Sequence, residues 1–138
     1  TYSIQEKEIK EKFLFTNGCF DVLHLGHLKL LKFAKKQGDK LIVAINSDTS
    51  VKKLKGESRP KFSQEDRKAM LESLAIVDEV VVFEEDTPYN LIKSVKPDVI
   101  VKGGDYTVET TVGNDLAEVI IFPRVKDYST SKILEETK

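Results

Sequence analysis

The segment FLFTNGCFDVLHLGH, residues 13–27, joins what the sequence predicts to be a buried strand to an amphipathic helix. The apolar run at 13–15 ends at Thr16-Asn17-Gly18, a combination typical of a strand that enters a turn. Apolar residues then recur at helical spacing after His27, and Gly38 stands where a C-terminal helix cap is expected. We therefore predict a helix over residues 26–37, and the strand, turn and helix together indicate the first unit of an α/β fold.

The rest of the chain continues this alternation of short apolar runs and helical patterns. Further strands are predicted at 41–45, 80–83, 99–101 and 119–122. Helices are predicted to begin at Ser63, which together with Asp66 resembles a capping box, at Thr87-Pro88, and at Ser129 or Thr130. The basic, aperiodic residues 52–61 are expected to form an exposed loop, and residues 1–11 a peripheral arm or short helix. Because each parallel return needs a crossover, we predict one domain over 1–138, a Rossmann-like doubly wound parallel sheet of about five strands with helices on both faces.

Composition narrows the classes of function. The 138 residues include 22 basic and 23 acidic side chains, a net charge of -1, so overall charge gives no reason to expect binding to nucleic acid or to an anionic membrane. The longest apolar runs are strand-sized, and no signal peptide is visible, so we expect a cytoplasmic protein. A single cysteine, Cys19, can build neither a disulfide framework nor a zinc cage. The chain begins at Thr1 rather than Met, which leaves open the removal of an upstream domain.

The two histidines of the chain, His24 and His27, both lie between the first strand and the first helix, with Gly26 between them. Free backbone N–H groups, the positive end of the helix dipole and two imidazole donors meet there, so the turn is suited to a phosphate group. Two alternatives are a purely structural role for the histidines and ligation of a metal. No cysteine, third histidine or adjacent carboxylate pair completes a cage, so we predict no protein-held metal.

Gly18-Cys19-Phe20-Asp21 followed by His24-Leu25-Gly26-His27 resembles the signature of the nucleotidyltransferase superfamily that includes the cytidylyltransferases and pantetheine-phosphate adenylyltransferase. Further segments resemble one branch, the adenylyltransferase domain of the bifunctional heptose kinase/adenylyltransferases. These segments are 46–48, 54–56 with 58–60, 85–88, 102–106 and 128–131, and the resemblance covers about residues 13–136. The kinase half of such enzymes is absent, which implies a free-standing transferase or an excised domain.

The resemblance implies transfer of a nucleoside monophosphate from a nucleoside triphosphate, with Mg²⁺, to a phosphorylated small molecule. The attacking phosphate oxygen is ionised at neutral pH, so positioning and charge stabilisation are sufficient for catalysis. His24 and His27 are expected to donate hydrogen bonds to the developing charge, and Lys55 to neutralise the triphosphate. Lys55 also has a simpler interpretation, because a lysine-rich segment is commonly only solvated.

The resemblance also implies a set of binding residues. Arg59 and Arg67 are expected to contact substrate phosphate, although an arginine on a helix is otherwise a surface residue. For Gly103 with Asp105, and for the serine motif at 129–131, an ordinary turn and a simple helix cap are the alternatives. The residues expected to bind the nucleotide are Asn17, Gly18, Cys19, Phe20, Asp21, Gly26, Gly103, Asp105, Arg124, Ser129, Thr130 and Ser131.

The branch resemblance favours ATP and a sugar 1-phosphate, above all D-glycero-β-D-manno-heptose 1-phosphate, as substrates, with ADP-heptose and pyrophosphate as products. Two departures point elsewhere. Residues 107–119 form a shorter connection than this branch usually has, so part of a helix is expected to be missing there. Pro123-Arg124 with residues 129–133 resembles glycerol-3-phosphate cytidylyltransferase, and Asp127 replaces an expected glycine. A CTP-dependent cytidylyltransferase and a non-catalytic nucleotide-binding module are therefore the alternatives, and a homodimer is expected by analogy of fold.

Overall fold

The computed structural model describes residues 11–123, in which five parallel strands alternate with four helices. The sheet order is β3-β2-β1-β4-β5, which confirms the predicted five-stranded parallel sheet. In chain order the elements are β1 (Phe13–Gly18), α1 (Leu25–Lys35), β2 (Lys40–Asn46), α2 (Asp48–Lys55), α3 (Gln64–Glu72), β3 (Glu79–Phe83), α4 (Tyr89–Val95), β4 (Val99–Gly103) and β5 (Glu118–Phe122).

The two faces of the sheet carry separate hydrophobic clusters. In β2, Leu41, Val43 and Ile45 pack with the apolar residues of α1 and α3, whereas Ile42 and Ala44 pack with those of α4. Successive side chains of a strand point to opposite faces, so an uninterrupted apolar run supplies both cores. The run of apolar residues in β2 thus explains both the parallel arrangement and the helices on both sides.

The strand order reverses direction next to β1, and this reversal opens a crevice. From β1 the chain adds β2 and then β3 on one side, and it then crosses to place β4 and β5 on the other side. The pairing of β1 with β2 extends to Gly18↔Ile45, but its pairing with β4 stops at Phe15↔Ile100. The carboxyl ends of β1 and β4 therefore separate, and such a switch point is where open α/β sheets bind ligands.

Two local predictions need correction. The residues expected to form a loop at 52–61 begin inside a helix, because α2 extends to Lys55 and is capped by the Ser47 side chain, which accepts from the Ser50 N–H. Val51 is its only buried apolar residue and Leu54 is exposed, so a single buried apolar side chain marks its inner face. Helix α1 ends at Lys35 rather than at residue 37. Gly38 allows the chain to pack closely on β1, since a Cβ at this position would lie 2.9 Å from Leu14 Cδ2.

The connection between β4 and β5 consists of turns, with no helix among residues 104–117 of the described chain. It is anchored by the buried Thr111 and by Gly113, whose φ of 92° and close contact with Ile92 and Ile100 exclude a larger residue. This agrees with the expectation that part of a helix is missing there. The arm at residues 1–10 and the terminal helix from Ser129 or Thr130 lie outside the described residues. Within residues 11–123, no helix has the length and apolar character needed to cross a bilayer.

Candidate active site

A cleft of about 630 Å³ opens at the carboxyl ends of β1, β2, β3 and β4. Its wall combines the turn after β1, the segment from α2 to Arg59, residues 83–88 after β3, and residues 102–106 at the end of β4. The predicted site residues on this wall are Asn17, Gly18, Cys19, Phe20, Asp21, His27, Lys55, Arg59, Gly103 and Asp105. His24, Gly26 and Arg67 do not line the cleft, and Arg124, Ser129, Thr130 and Ser131 fall outside the described residues.

The two histidines form the beginning of helix α1. His24 is the N-cap residue, and its Nδ1 accepts a hydrogen bond of 3.0 Å from the Gly26 N–H. His27 Nδ1 accepts in return from the His24 N–H at 3.2 Å, and the rings stack with centroids 3.9 Å apart. The reciprocal arrangement is a capping box built from imidazoles, which satisfies two backbone donors that a helix start leaves unpaired.

This capping arrangement sets the chemistry of both rings. An Nδ1 atom that accepts a hydrogen bond carries no proton, so each neutral ring has its N–H at Nε2. Burial, with the neighbouring charges of His24 and Lys55, lowers the pKa of His27 to about 4, and burial also lowers the pKa of His24. At neutral pH the site therefore offers neutral Nε2–H donors at the N-terminus of a helix, with His27 on the cleft wall.

Asp21 is turned toward the protein and holds the loop that follows α2. Its side chain is 2% exposed and accepts from Arg59 Nε at 2.5 Å, from the Lys61 N–H at 2.6 Å and from the Phe62 N–H at 3.2 Å. Burial alone raises the pKa of this carboxyl, but these hydrogen bonds outweigh burial and lower it. Asp21 thus orients Arg59, while its own charge is neutralised by the Arg59 guanidinium.

The structure places Arg67 in the interior, which corrects the expectation that it contacts substrate phosphate. Its side chain is completely buried and donates to three backbone carbonyls and one carboxylate. The acceptors are Phe62 O at 3.1 Å, Cys19 O at 2.8 Å, Asn46 O at 2.7 Å and Asp48 Oδ1 at 2.9 Å. Arg67 therefore ties the ends of β1 and β2 to α2 and to the loop at 62, and it supports the cleft from behind.

Cys19 and Asn46 form a small polar contact between the ends of β1 and β2. Cys19 Sγ donates to Asn46 Oδ1 at 3.7 Å, and Asn46 Nδ2 donates to Ser50 Oγ at 3.0 Å. Burial is the main reason that the pKa of Cys19 is raised, so its thiol is protonated at neutral pH. Cys19 therefore contributes shape and a weak donor to the cleft rather than a nucleophilic thiolate.

Lys102 on the cleft wall was not singled out by the sequence analysis. It lies at the end of β4, is 7% exposed, and its Nζ is 3.1 Å from both the backbone oxygen and Oδ1 of Asn17. The sequence feature that could have identified Lys102 is its position directly after the apolar run 99–101, where a charged residue is unexpected. Burial lowers its pKa to about 8.

Carboxylates lie on the part of the cleft wall that the structure describes. Among residues 11–123, no group of three or more His, Cys, Asp or Glu side chains is arranged to hold a metal ion. Asp86 lines the cleft, and magnesium is usually held by substrate phosphates together with one or two carboxylates. This carboxylate fits a magnesium ion that enters with a triphosphate.

The chain matches the family model described as cytidylyltransferase-like over residues 15–136. It is 57% identical over 129 residues to the bifunctional protein HldE of a Nitratiruptor species and 52% identical over 130 residues to that of Helicobacter pylori. These matches cover 93% and 94% of this chain, which spans only 28% of the length of each relative.

Solved structures show the same fold. The lipopolysaccharide core biosynthesis protein from Thermoplasma volcanium is 30% identical with a TM-score of 0.69, over 84% of this chain and 98% of that one. Pantoate-beta-alanine ligase from Francisella tularensis, solved with beta-gamma ATP and beta-alanine, has a TM-score of 0.61 over 88% of this chain and 63% of that one. At 21% identity, this second likeness concerns the fold alone.

Proposed function

The chain belongs to the cytidylyltransferase-like family of nucleotidyltransferases, and from this premise we propose that it transfers AMP from ATP to a sugar 1-phosphate. The acceptor we propose is D-glycero-β-D-manno-heptose 1-phosphate, which gives ADP-heptose and pyrophosphate. The names of the relatives support this choice, because HldE proteins match at 51–59% identity and the protein from Thermoplasma volcanium is named for lipopolysaccharide core biosynthesis. The observation that carries the proposal is the pair of capped histidines, which presents neutral Nε2–H donors where phosphate charge would develop.

In the proposed reaction, a phosphate oxygen of the acceptor attacks the α-phosphorus of the nucleotide. The new P–O bond forms as the bond from the α-phosphorus to the bridging oxygen breaks, and pyrophosphate leaves with the electron pair. No proton has to be removed from the attacking oxygen, so the site needs donors and positive charge more than a base. His27, backed by His24, would donate from Nε2, while Lys55 and Arg59 would offset the charge of the phosphates.

The end of β4 is the proposed place for the nucleoside. A Cβ added at Gly103 would meet no atom within 4 Å, so the space above this backbone is open to a ligand. Asp105 lies on the same wall, and a carboxylate is suited to the hydroxyl groups of a ribose more than to a phosphate. The triphosphate would then extend from this end toward the histidines at the switch point.

A cytidylyltransferase that uses CTP and glycerol 3-phosphate is the second candidate. The family description and the helix-free connection at 104–117 favour it, together with the Pro123-Arg124 resemblance. Because the nucleotide and the acceptor both differ between the two candidate reactions, an assay of every nucleotide with every acceptor distinguishes the two reactions.

The test is pyrophosphate release with ATP, CTP, GTP and UTP, each combined with heptose 1-phosphate or glycerol 3-phosphate. We expect turnover with ATP and the heptose, and a loss on the order of a hundredfold to a thousandfold in His27→Asn, the usual effect of losing one donor to developing charge. His27 accepts the His24 N–H at Nδ1, and the Oδ1 atom of asparagine is the acceptor that best replaces Nδ1, so this variant separates chemistry from folding better than His27→Ala. Lys93→Met on the exposed surface of α4 is the matched control. Turnover with CTP and glycerol phosphate would establish the second candidate, and a fully active, folded His27→Asn would refute the proposed role of the ring.

A further inference from the structure

Lys102 and Asn17 connect the two strands that separate at the switch point. Asn17 is near the end of β1, Lys102 near the end of β4, and the Nζ atom donates to both oxygens of Asn17 at 3.1 Å. The ladder between these strands has already stopped at Phe15↔Ile100. The ammonium therefore lies in the crevice itself, between two strand ends that no longer pair.

Within the part of the chain that the structure describes, the ammonium of Lys102 is buried among groups that carry no opposite charge. Both Asn17 oxygens are neutral, and the aromatic ring of Tyr106 lies 4.3 Å from Nζ. The titratable groups that face it are the Cys19 thiol and the Tyr106 phenol, and within residues 11–123 no carboxylate forms an ion pair with it. An ammonium has three N–H donors, and Asn17 accounts for two of them. Burying a cation without a counter-charge is costly, and this cost is the reason that the pKa of Lys102 falls to about 8.

The other lysine and arginine side chains on the described part of the cleft wall lie on the opposite side of the β1 turn. Lys55 ends α2 and Arg59 follows it, so both come from the segment after β2. Lys102 comes from β4, on the other side of β1 in the sheet. Positive charge thus flanks the histidines on both sides, an arrangement suited to two phosphorylated ligands that meet at the turn.

We propose that Lys102 binds a phosphate group of the nucleoside triphosphate, and that nucleotide binding is coupled to proton uptake by this lysine in alkaline solution. This inference rests on the proposed function in one respect: the proposed function identifies the ligand as a nucleoside triphosphate. The bound phosphate supplies the counter-charge that residues 11–123 do not provide, so the charged form of the lysine is favoured once the ligand is in place. The hydrogen bonds to Asn17 hold the ammonium in position at the switch point until then.

Isothermal titration calorimetry with ATP, and separately with CTP, tests the coupling at about pH 8.5, where nucleotide phosphates are fully ionised. Repeating each titration in buffers of different ionisation enthalpy gives the number of protons taken up on binding. With a pKa of about 8 in the free protein, roughly three quarters of the Lys102 side chains are uncharged at this pH, so we expect uptake of roughly 0.7 proton per nucleotide. The part of the uptake that depends on Lys102, which is the difference between the wild type and Lys102→Met, should fall toward zero at about pH 6.5, where Lys102 is already charged. His27, with a pKa of about 4, is neutral in the free protein at both pH values.

Two substitutions assign the proton to Lys102. Lys102→Met should weaken nucleotide binding by at least tenfold and abolish the uptake, whereas Lys102→Arg, which cannot lose its charge, should abolish the uptake and retain part of the affinity. Lys93→Met, which removes an exposed lysine, should change neither value.

Thermal unfolding without ligand distinguishes anion binding from a merely structural role. If Lys102 only held Asn17, Lys102→Met would lower the unfolding temperature, whereas removal of an uncompensated buried charge should leave it unchanged or raise it. Unaltered proton uptake in Lys102→Met, or normal nucleotide affinity in the folded variant, would overturn the proposal. These results do not depend on turnover, so failure of the proposed reaction and failure of this inference are distinguishable.

Discussion

Replacing Arg67 with methionine should destabilise the protein more than any other single change at the cleft. Arg67 is completely buried and makes four hydrogen bonds of 2.7–3.1 Å. Three of the acceptors are backbone carbonyls, and methionine would fill much of the volume but would leave these carbonyls without a donor. The variant would therefore lose interactions that join four separate segments of the chain.

The expected magnitude follows from two opposing contributions. Hydrogen bonds from a charged donor contribute about 1.5–3 kcal/mol each, so four of them amount to roughly 6–12 kcal/mol. Methionine also removes the cost of burying the guanidinium, which is several kcal/mol. We expect a net loss of about 3–5 kcal/mol in the free energy of unfolding, a large part of the roughly 5–15 kcal/mol available to a domain.

Urea denaturation followed by circular dichroism measures this loss, and two further variants keep the result interpretable. Arg67→Lys keeps the charge and part of the donors, so it should lose less and remain measurable if the methionine variant does not fold. Asp48→Asn removes only the partner charge, and because the Asp48 side chain is 35% exposed we expect a loss below about 1 kcal/mol. A loss below about 1 kcal/mol for Arg67→Met, or an equal loss for Asp48→Asn, would refute this account of Arg67.

Three other outcomes follow from the geometry of the cleft. The pKa of His27 falls from 6.5 in the unfolded chain to about 4, so the stability that this ring contributes is present above pH 6.5 and is lost as the pH falls toward 4. Urea denaturation at several pH values should show a decrease of at most about 3 kcal/mol in the free energy of unfolding, and NMR titration of the ring measures the pKa directly. Asp21→Asn should lower the free energy of unfolding by about 2 kcal/mol in urea denaturation and raise the KM for substrate, because an amide cannot accept all three hydrogen bonds. Glu57→Gln, at an exposed position in the same loop, should change neither the stability nor the KM. Gly103→Val should weaken nucleotide binding by about tenfold or more in calorimetry without lowering the unfolding temperature, because its side chain would enter open cleft; unchanged affinity would place the nucleotide elsewhere.

The strands were predictable because strands buried on both faces appear in the sequence as unbroken apolar runs, and β2 shows this most clearly. The histidine turn was recognisable for a related reason, since its residues are contiguous and their spacing already defines a helix start. Helix α2 was not predicted, because a short surface helix with one buried apolar residue, Val51, and three lysines is easily taken for a solvated loop.

The charged residues show where sequence reasoning reaches its limit. Arg67 occupies a helical position that is ordinarily solvent-exposed, and only the folded chain reveals that backbone carbonyls from β1 and β2 converge on it. Lys102 is separated from Asn17 by 85 residues, so the contact that gives it significance is created by the crossover to β4. Local patterns identify residues that act together in one turn, but they do not reveal partners brought together by the topology of the sheet.

The capping box formed by His24 and His27 has a consequence for how this protein can evolve. The ring of His27, which would face the substrate, and the ring of His24 stacked on it also satisfy the backbone at the start of α1. Selection for activity and selection for folding therefore act on the same pair of side chains, and a mutation at either one is penalised on both grounds. A descendant that abandoned the chemistry would still gain from keeping an imidazole, or another capping side chain, at each position, so a preserved pair of histidines is weaker proof of catalysis than it first looks.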